Sequence, residues 1–82
     1  MTIKDLIKNK DYDRISIRRV RPEKYGGGDV FCGPAKSING KLVSLDGDTY
    51  SENEEVLNYE EWRNPEKGVE NGLTIVLKGG WY

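Results

Sequence analysis

The apolar positions along the chain change their spacing after the first ten residues. Ile3, Leu6 and Ile7 follow the i, i+3, i+4 spacing of a helix that buries one face. Thr2 stands before this stripe and Asp5 follows three residues later, which is a variant of the capping-box pattern. The sequence therefore predicts a short N-terminal helix, which must pack on another element because so short a helix is not stable alone.

From residue 14 onward, apolar residues alternate with polar ones in the pattern of short strands. Asn39-Gly40 is the preferred pair for a two-residue hairpin turn, and Asp46-Gly47 marks a second turn. The polar, turn-rich residues 63–72 are expected to form a long connection. We predict strands at residues 14–20, 30–32 (ended by Gly33-Pro34), 36–38, 41–45, 55–62 and 73–78.

Two of these strands carry a prediction about their faces. Alternation places Leu57 and Tyr59 on one face and Val56 and Trp62 on the other. Apolar residues occupy both phases of residues 73–78, which favours a central strand covered on both sides.

The order of elements predicts an α+β fold in one small domain, residues 1–82. A short N-terminal helix would pack on a twisted, mostly antiparallel sheet of about five strands, with partial closure into a small barrel as a variant of that sheet. Only 35% of the residues are hydrophobic, so the core must be thin. Help from a partner chain would stabilise such a domain, and a homodimer is one form that this help could take.

Charge is distributed unevenly along the chain. Residues 1–41 carry ten Lys/Arg and five Asp/Glu, whereas residues 42–82 carry three Lys/Arg and nine Asp/Glu. This polarity predicts basic and acidic regions on the surface, although folding can interleave them. The net charge of −1 is not that of a general nucleic-acid binder.

The absence of histidine and the single cysteine, Cys32, exclude several kinds of site within one chain. Ser-His and Cys-His nucleophilic pairs cannot form, and neither can a typical structural zinc site. We therefore expect a protein that is not an enzyme and that has no metal or cofactor. The lone cysteine suits the reducing cytoplasm, and no apolar run predicts a signal peptide or a membrane span.

The stretch SLDGDTYS and the acidic residues after it raise three alternatives: a calcium site, a docking surface or a hairpin turn with solvated carboxylates. An EF-hand loop that began at Asp46 would have Ser51 where glycine is required and Leu57 where glutamate is required. A docking surface would place carboxylates, with an apolar anchor, against a basic protein surface. Its predicted residues are Asp46, Asp48, Tyr50, Glu52, Glu54, Glu55, Glu60, Glu61 and Trp62.

A second candidate site is the basic run RRVRPEK with the glycine-rich loop after it. Arginine forks bind phosphate oxygens, and glycines let backbone N–H groups approach an anion. The alternative without a ligand is an exposed strand edge that positive charge protects from pairing with other chains. The predicted ligand residues are Arg18, Arg19, Arg21, Lys24, Tyr25, Gly26, Gly27 and Gly28, with Arg19 and Arg21 on one face of the strand and Arg18 on the other.

The segments GKLVSLDGDTYS, EVLNYEEW and NGLTIVLKGGW resemble small uncharacterised accessory proteins of phages and mobile elements from gut Clostridia-like bacteria. The resemblance implies an inhibitor that binds a host defence protein or sequesters a nucleotide signal. Our leading hypothesis is a small non-enzymatic binding protein that docks its acidic surface on a host protein with a basic surface. A nucleotide- or phosphate-sequestering protein is the main alternative, and a small calcium-binding or purely structural domain is another.

Overall fold

One short helix and five strands make up the described part of the fold. The computed structural model describes residues 1–8, 11–38, 41–47 and 49–79. Two short 3₁₀ turns lie in the connections between strands: Glu23–Tyr25 between the first and second strands, and Pro65–Lys67 between the fourth and fifth. The main elements are helix α1 (Ile3–Ile7) and strands β1 (Arg14–Val20), β2 (Asp29–Ile38), β3 (Lys41–Ser44), β4 (Val56–Asn64) and β5 (Val69–Lys78).

The strands form a single mixed sheet in the order β3-β2-β1-β5-β4. β1 and β5 are parallel, and the other three pairings are antiparallel. The α+β prediction with a mostly antiparallel sheet of five strands is therefore confirmed. The sheet is open, with β3 and β4 at its edges, and the structure does not show the partial barrel.

Helix α1 begins at a capping box, as the sequence predicts. The Thr2 hydroxyl accepts a hydrogen bond from the Asp5 backbone N–H, and the Asp5 carboxylate accepts one from the Thr2 backbone N–H at 2.9 Å. The hydrogen bonds that the carboxylate accepts from the Thr2 backbone N–H and, at 3.1 Å, from the Thr2 hydroxyl hold the pKa of Asp5 below its usual value. The cap fixes where the chain enters the helix, and the helix buries Ile3, Leu6 and Ile7.

The hydrophobic core lies between helix α1 and one face of the sheet. The apolar residues of the helix belong to one buried cluster with the inward residues of β1 and β5. Leu42 of β3 and Val56 of β4 close this cluster at the two edges of the sheet. The sheet residues of the cluster are Ile15, Ile17, Ala35, Leu42, Val56, Leu73, Ile75 and Leu77.

The opposite face of the sheet has no layer of structure over it within the described part of the chain. In β1, Ser16 and Arg18 alternate with the buried Ile15 and Ile17, so they point to this other side. We call it the open face. No described helix is long and apolar enough to cross a membrane.

Strand β2 differs from its prediction, because it runs unbroken through Gly33-Pro34. A register shift in its pairing with β1 and the φ of +128° at Gly33 accommodate an irregularity there. Proline is tolerated at position 34 because β3 has ended: its last residue, Ser44, pairs with Ala35. The β2–β3 pairing brings Ile38 opposite Lys41, as a two-residue hairpin requires, and residues 39 and 40 lie outside the described residues.

The predicted faces of β4 are wrong because the strand contains a register shift. Val56 pairs with Leu77, but Asn58 pairs with Val76, so Leu57 is an extra residue that reverses the alternation. Val56 and Tyr59 therefore share the side of helix α1, and Trp62 lies on the open face. The paired residues Trp62 and Gly72 are next to each other there.

The predicted long connection at residues 63–72 is also wrong. β4 continues to Asn64 and β5 begins at Val69, so the 3₁₀ turn Pro65–Lys67 and Gly68 alone join them. Gly68 has a φ of +74° and ends this turn. β5 is central, as predicted, but only its helix side is covered; Val76 on the open face is half-buried.

Candidate functional site

The loop after β3 holds the exposed part of the predicted acidic surface. Asp46 lies in a turn in which the Gly47 N–H donates to the Ser44 carbonyl at 3.0 Å. The side chains of Asp46 and Glu52 are exposed. Asp48 lies outside the described residues. Tyr50 belongs to the core rather than to an exposed anchor, because its side chain packs on the buried cluster.

Two other carboxylates of the predicted surface are held in ion pairs. Glu54 Oε1 lies 2.6 Å from Arg19 Nη1, and both side chains are largely buried, at 27% and 26% exposure. The hydrogen bond that Arg19 donates to the Glu54 carboxylate raises the pKa of Arg19. Glu55 pairs with the Met1 ammonium group at 3.0 Å, in an exposed position. These two charges are partly neutralised within the chain, so they contribute little to an acidic docking surface.

The remaining acidic candidates lie on β4 and point to opposite sides of the sheet. Glu60 pairs with Thr74 on the open face, whereas Glu61 pairs with the buried Leu73 on the helix side. Glu61 accepts a hydrogen bond from the Tyr12 hydroxyl at 3.2 Å. The structure therefore does not bring all the predicted acidic residues together on one surface.

The basic run is also divided between surfaces. Arg18 lies on the open face, where its guanidinium carbon is 5.9 Å from the centre of the Phe31 ring. Arg19 points to the helix side and contacts Glu54, as described above. The Arg21 Nε donates to the Gly27 carbonyl at 3.2 Å, and the Lys24 ammonium lies 5.1 Å from the centre of the Tyr25 ring. These residues do not converge on one phosphate-sized space.

The glycine loop uses most of its N–H groups for its own turn. Gly26, Gly27 and Gly28 all have positive φ values, which explains the need for glycine at each position. The Gly26 N–H donates to Glu23 at 2.9 Å and the Gly27 N–H donates to Pro22 at 3.1 Å. Two of the three amides that could cradle an anion are therefore already engaged.

The open face joins basic and aromatic residues that are far apart in the sequence. Arg14 and Arg18 of β1 lie between Phe31 of β2 and Trp62 of β4 in the sheet order. Phe31 is 54% exposed, so its ring is accessible from solvent on this face. At the register-paired strand positions, the cations of this face are Arg14, Arg18, Lys36, Lys41 and Lys78, and the carboxylates are Asp29 and Glu60.

Pockets that bind small ligands are clefts of about 300–1,000 Å³. The open face contains a groove of about 590 Å³. Arg14, Ser16 and Lys36 contribute its polar side chains, and Phe31 and Leu45 contribute apolar ones. The cationic groups and the exposed ring together make a site for a ligand with an anionic part and a flat part.

Asp13 also lines the groove, but its carboxylate is already engaged in hydrogen bonds within the chain. It accepts hydrogen bonds from the backbone N–H groups of Glu70 and Asn71 at 2.8 and 3.0 Å. These bonds tie the start of β1 to β5 and partly offset the negative charge of Asp13. The groove therefore keeps a positive bias from Arg14 and Lys36.

Trp62 lies at the far side of the open face with one side of its indole ring against Gly72. An ideal Cβ on Gly72 would lie 2.5 Å from two carbons of the ring, so any larger residue there would displace the ring. The indole Nε1 is buried and has no hydrogen-bond partner among the described residues. A second concavity of about 330 Å³ adjoins the ring.

Sequence reasoning identified Arg18 and Trp62 but assigned them to separate sites, and it missed Arg14, Phe31 and Lys36. The strand alternation would have placed Arg14 and Arg18 on one face. That residues of β2 and β4 lie on the same face as these arginines follows only from the sheet order, which the sequence did not predict.

The described residues offer no cluster of three or more Cys, His, Asp or Glu side chains that could hold a metal ion. Cys32 is exposed, and its thiol contacts the Val30 carbonyl at 3.5 Å. No protein-family model, no curated protein and no solved structure matches this chain.

Proposed function

We propose that this chain is a non-enzymatic binding protein that takes a nucleotide-like ligand, with a phosphate and a flat base, on the open face of its sheet. The observation that carries the proposal is the groove of about 590 Å³, which is lined by the side chains of Arg14 and Lys36 and by the exposed ring of Phe31. Arginine and lysine bind phosphate oxygens, and an aromatic ring stacks on a base.

This proposal keeps the ligand class of the sequence hypothesis but moves the site. The basic run contributes Arg18 alone, because Arg19 is paired with Glu54 and Arg21 bonds to the glycine loop. Strands β1 and β2 replace the glycine loop as the binding element. Their backbone is fixed by the sheet, so the ligand groups are held on a rigid support.

Calorimetric titration with ATP, GTP and inorganic phosphate tests the proposal. The double variant Arg14→Gln/Lys36→Gln should lose binding, because both cations that line the groove are removed. Lys4→Gln/Lys8→Gln is the matched control, since it removes the same charge from helix α1 on the other side of the sheet. The proposal fails if no nucleotide binds, or if the two double variants weaken binding equally.

A second candidate function is docking of the acidic loop on a basic surface of a host protein, such as a defence protein. Its support is the exposure of Asp46 and Glu52, neither of which forms an ion pair within the described residues. Asp46→Asn/Glu52→Gln should then abolish capture of that partner at low salt and leave nucleotide binding unchanged. Retention of the partner by this variant would refute the docking role.

A further inference from the structure

We infer that the ligand of the open face is a single-stranded nucleic acid that runs diagonally across the sheet from Phe31 to Trp62. The inference rests on the proposed function and names its ligand more closely. Among the described residues, two aromatic side chains lie on this face, on β2 and β4, and each adjoins a concavity. A single nucleotide would use one of them, whereas a chain of nucleotides can use both.

The register of the sheet gives the separation of the two rings. Phe31 is level with Arg18 and Val76, and Trp62 is level with Gly72, four positions along β5. Three strand spacings of about 4.8 Å and four residues of about 3.3 Å give a diagonal of roughly 20 Å. This distance exceeds the reach of one nucleotide and requires several nucleotides in an extended strand.

The side chains between the rings suit a sugar-phosphate backbone. Arg18 lies beside Phe31, and Arg14 is level with Gly72, on which Trp62 rests. Ser16 and Thr74 lie between these arginines on β1 and β5, and their hydroxyls can donate to phosphate oxygens. Arg18 near Phe31, Arg14 level with Gly72 and the hydroxyls between them form a polar path along β1 and β5.

The shape of the protein favours a single strand over a duplex. Bases in a duplex are stacked on one another, so their faces are not free to stack on aromatic side chains. Reading a duplex usually requires a helix or ribbon in the major groove, and helix α1 has five residues whose apolar side chains are buried. A sheet that presents aromatic and basic side chains is a common platform for unpaired bases.

Fluorescence anisotropy with labelled oligothymidylates of two, four and eight nucleotides, beside thymidine monophosphate, tests the inference. Affinity should rise with length until the strand reaches both rings. Phe31→Ala should weaken octamer binding roughly 5- to 150-fold, as the loss of one stacked base does. Tyr59→Ala is the matched control, because Tyr59 is an exposed aromatic residue on the helix side of the sheet.

Trp62 is tested without replacing it, because its ring packs on Gly72 and a substitution could disturb the fold. In a Trp81→Phe background, which leaves Trp62 as the single tryptophan, the octamer should quench the fluorescence and the monophosphate should not. Arg18→Gln should make the dependence of log K on log salt concentration less steep, by about one unit or less, because one phosphate contact is lost.

The outcomes separate this inference from the proposed function. Equal affinity for the monophosphate and the octamer would overturn the single-strand inference and leave the nucleotide site standing, whereas binding of neither would overturn both. The inference also fails if Tyr59→Ala weakens binding as much as Phe31→Ala, or if the octamer leaves Trp62 fluorescence unchanged. Equal binding of a duplex, or equal competition by polyglutamate, would show a surface that selects only negative charge.

Discussion

Substitution of Gly72 by alanine tests whether the Trp62 ring is held against the sheet. The new Cβ would lie 2.5 Å from Cδ2 and Cε2 of the ring and 2.8 Å from Cε3. Optimal contacts between carbon atoms are about 3.5–4.0 Å, so the ring would have to lift by roughly 1 Å. The φ of Gly72 lies outside the left-handed region, and its backbone therefore accepts alanine without strain.

Two opposing effects decide the change in the free energy of unfolding. Alanine in a strand avoids the extra entropy that glycine loses on folding, which stabilises the protein by about 0.5–1 kcal/mol. Overpacking against the ring costs about 1–3 kcal/mol. Trp62 is half-buried and can move toward solvent, so the cost should stay below the top of that range, at about 2 kcal/mol. We expect Gly72→Ala to destabilise the protein by about 1 kcal/mol.

A double-mutant cycle measures this effect by urea unfolding followed by circular dichroism. With Trp62→Ala, the clash is absent, and the additional Gly72→Ala change should be neutral or stabilise the protein by about 0.5–1 kcal/mol. The interaction energy between the two positions should therefore exceed about 1 kcal/mol. An increase in stability on Gly72→Ala with Trp62 present would refute the packing of the ring on the sheet.

Three further substitutions test the cap, the core and the ion pair by urea unfolding. The lowered pKa of Asp5 means that its ionised form stabilises the fold above the ordinary aspartate pKa of about 3.9, and this contribution is lost as the pH falls through the lowered value. Asp5→Asn should reduce stability at pH 7 more than at pH 3, and an equal loss at both would exclude the cap as the cause. Ile75→Ala should cost about 2–5 kcal/mol because Ile75 is fully buried, whereas the half-buried Val76→Ala should cost clearly less; similar losses would mean that the open face is covered. Glu54→Gln should cost about 1 kcal/mol by weakening the hydrogen bonds of Arg19, and a loss that disappeared in high salt would indicate a purely exposed pair.

The sequence predicts the elements whose signals are local. The helix follows from Thr2, Asp5 and its apolar stripe, and β1 begins and ends where alternation predicts. The turn pair Asn39-Gly40 predicts a hairpin, and β2 and β3 do pair on either side of it, with Ile38 opposite Lys41. In each case the interactions that define the element join residues close in the chain.

Features that depend on strand pairing could not be predicted in this way. The bulge at Leu57 exchanges the faces of β4, and it exists only because of the register with β5. Gly33-Pro34 predicts the end of a strand. β2 nevertheless continues through it, because its partner β3 ends opposite Ala35 and no pairing with β3 is lost at Pro34. The parallel pairing of β1 with β5 joins distant segments and leaves no local signal.

The candidate site shows the same division. Acidic residues adjacent in the sequence, such as Glu60 and Glu61, point to opposite sides of a strand, as alternation requires. The Arg19–Glu54 ion pair links residues 35 positions apart and removes one member from each predicted site. Charge clusters in a sequence therefore indicate composition, whereas the sheet order decides which charges share a surface.

The sheet order also explains what becomes of the uneven charge along the chain. The basic half supplies β1 and β2, which are adjacent, and the acidic half supplies β5 and β4 beside them, together with all but the first residue of β3. Positive and negative charge thus lie side by side across one sheet rather than on its two faces.

This arrangement gives the two ends of the proposed nucleic-acid path different roles. Phe31 lies among the cations of β1 and β2, whereas Trp62 lies on the acidic strand near Glu60. Phosphate contacts should therefore concentrate at the Phe31 end, and binding at the Trp62 end should depend on stacking. Loss of Arg18 should reduce the salt dependence of binding. Gly72→Ala, which displaces the Trp62 ring without removing it, should reduce affinity with the salt dependence unchanged, and equal changes in slope for the two variants would refute this division.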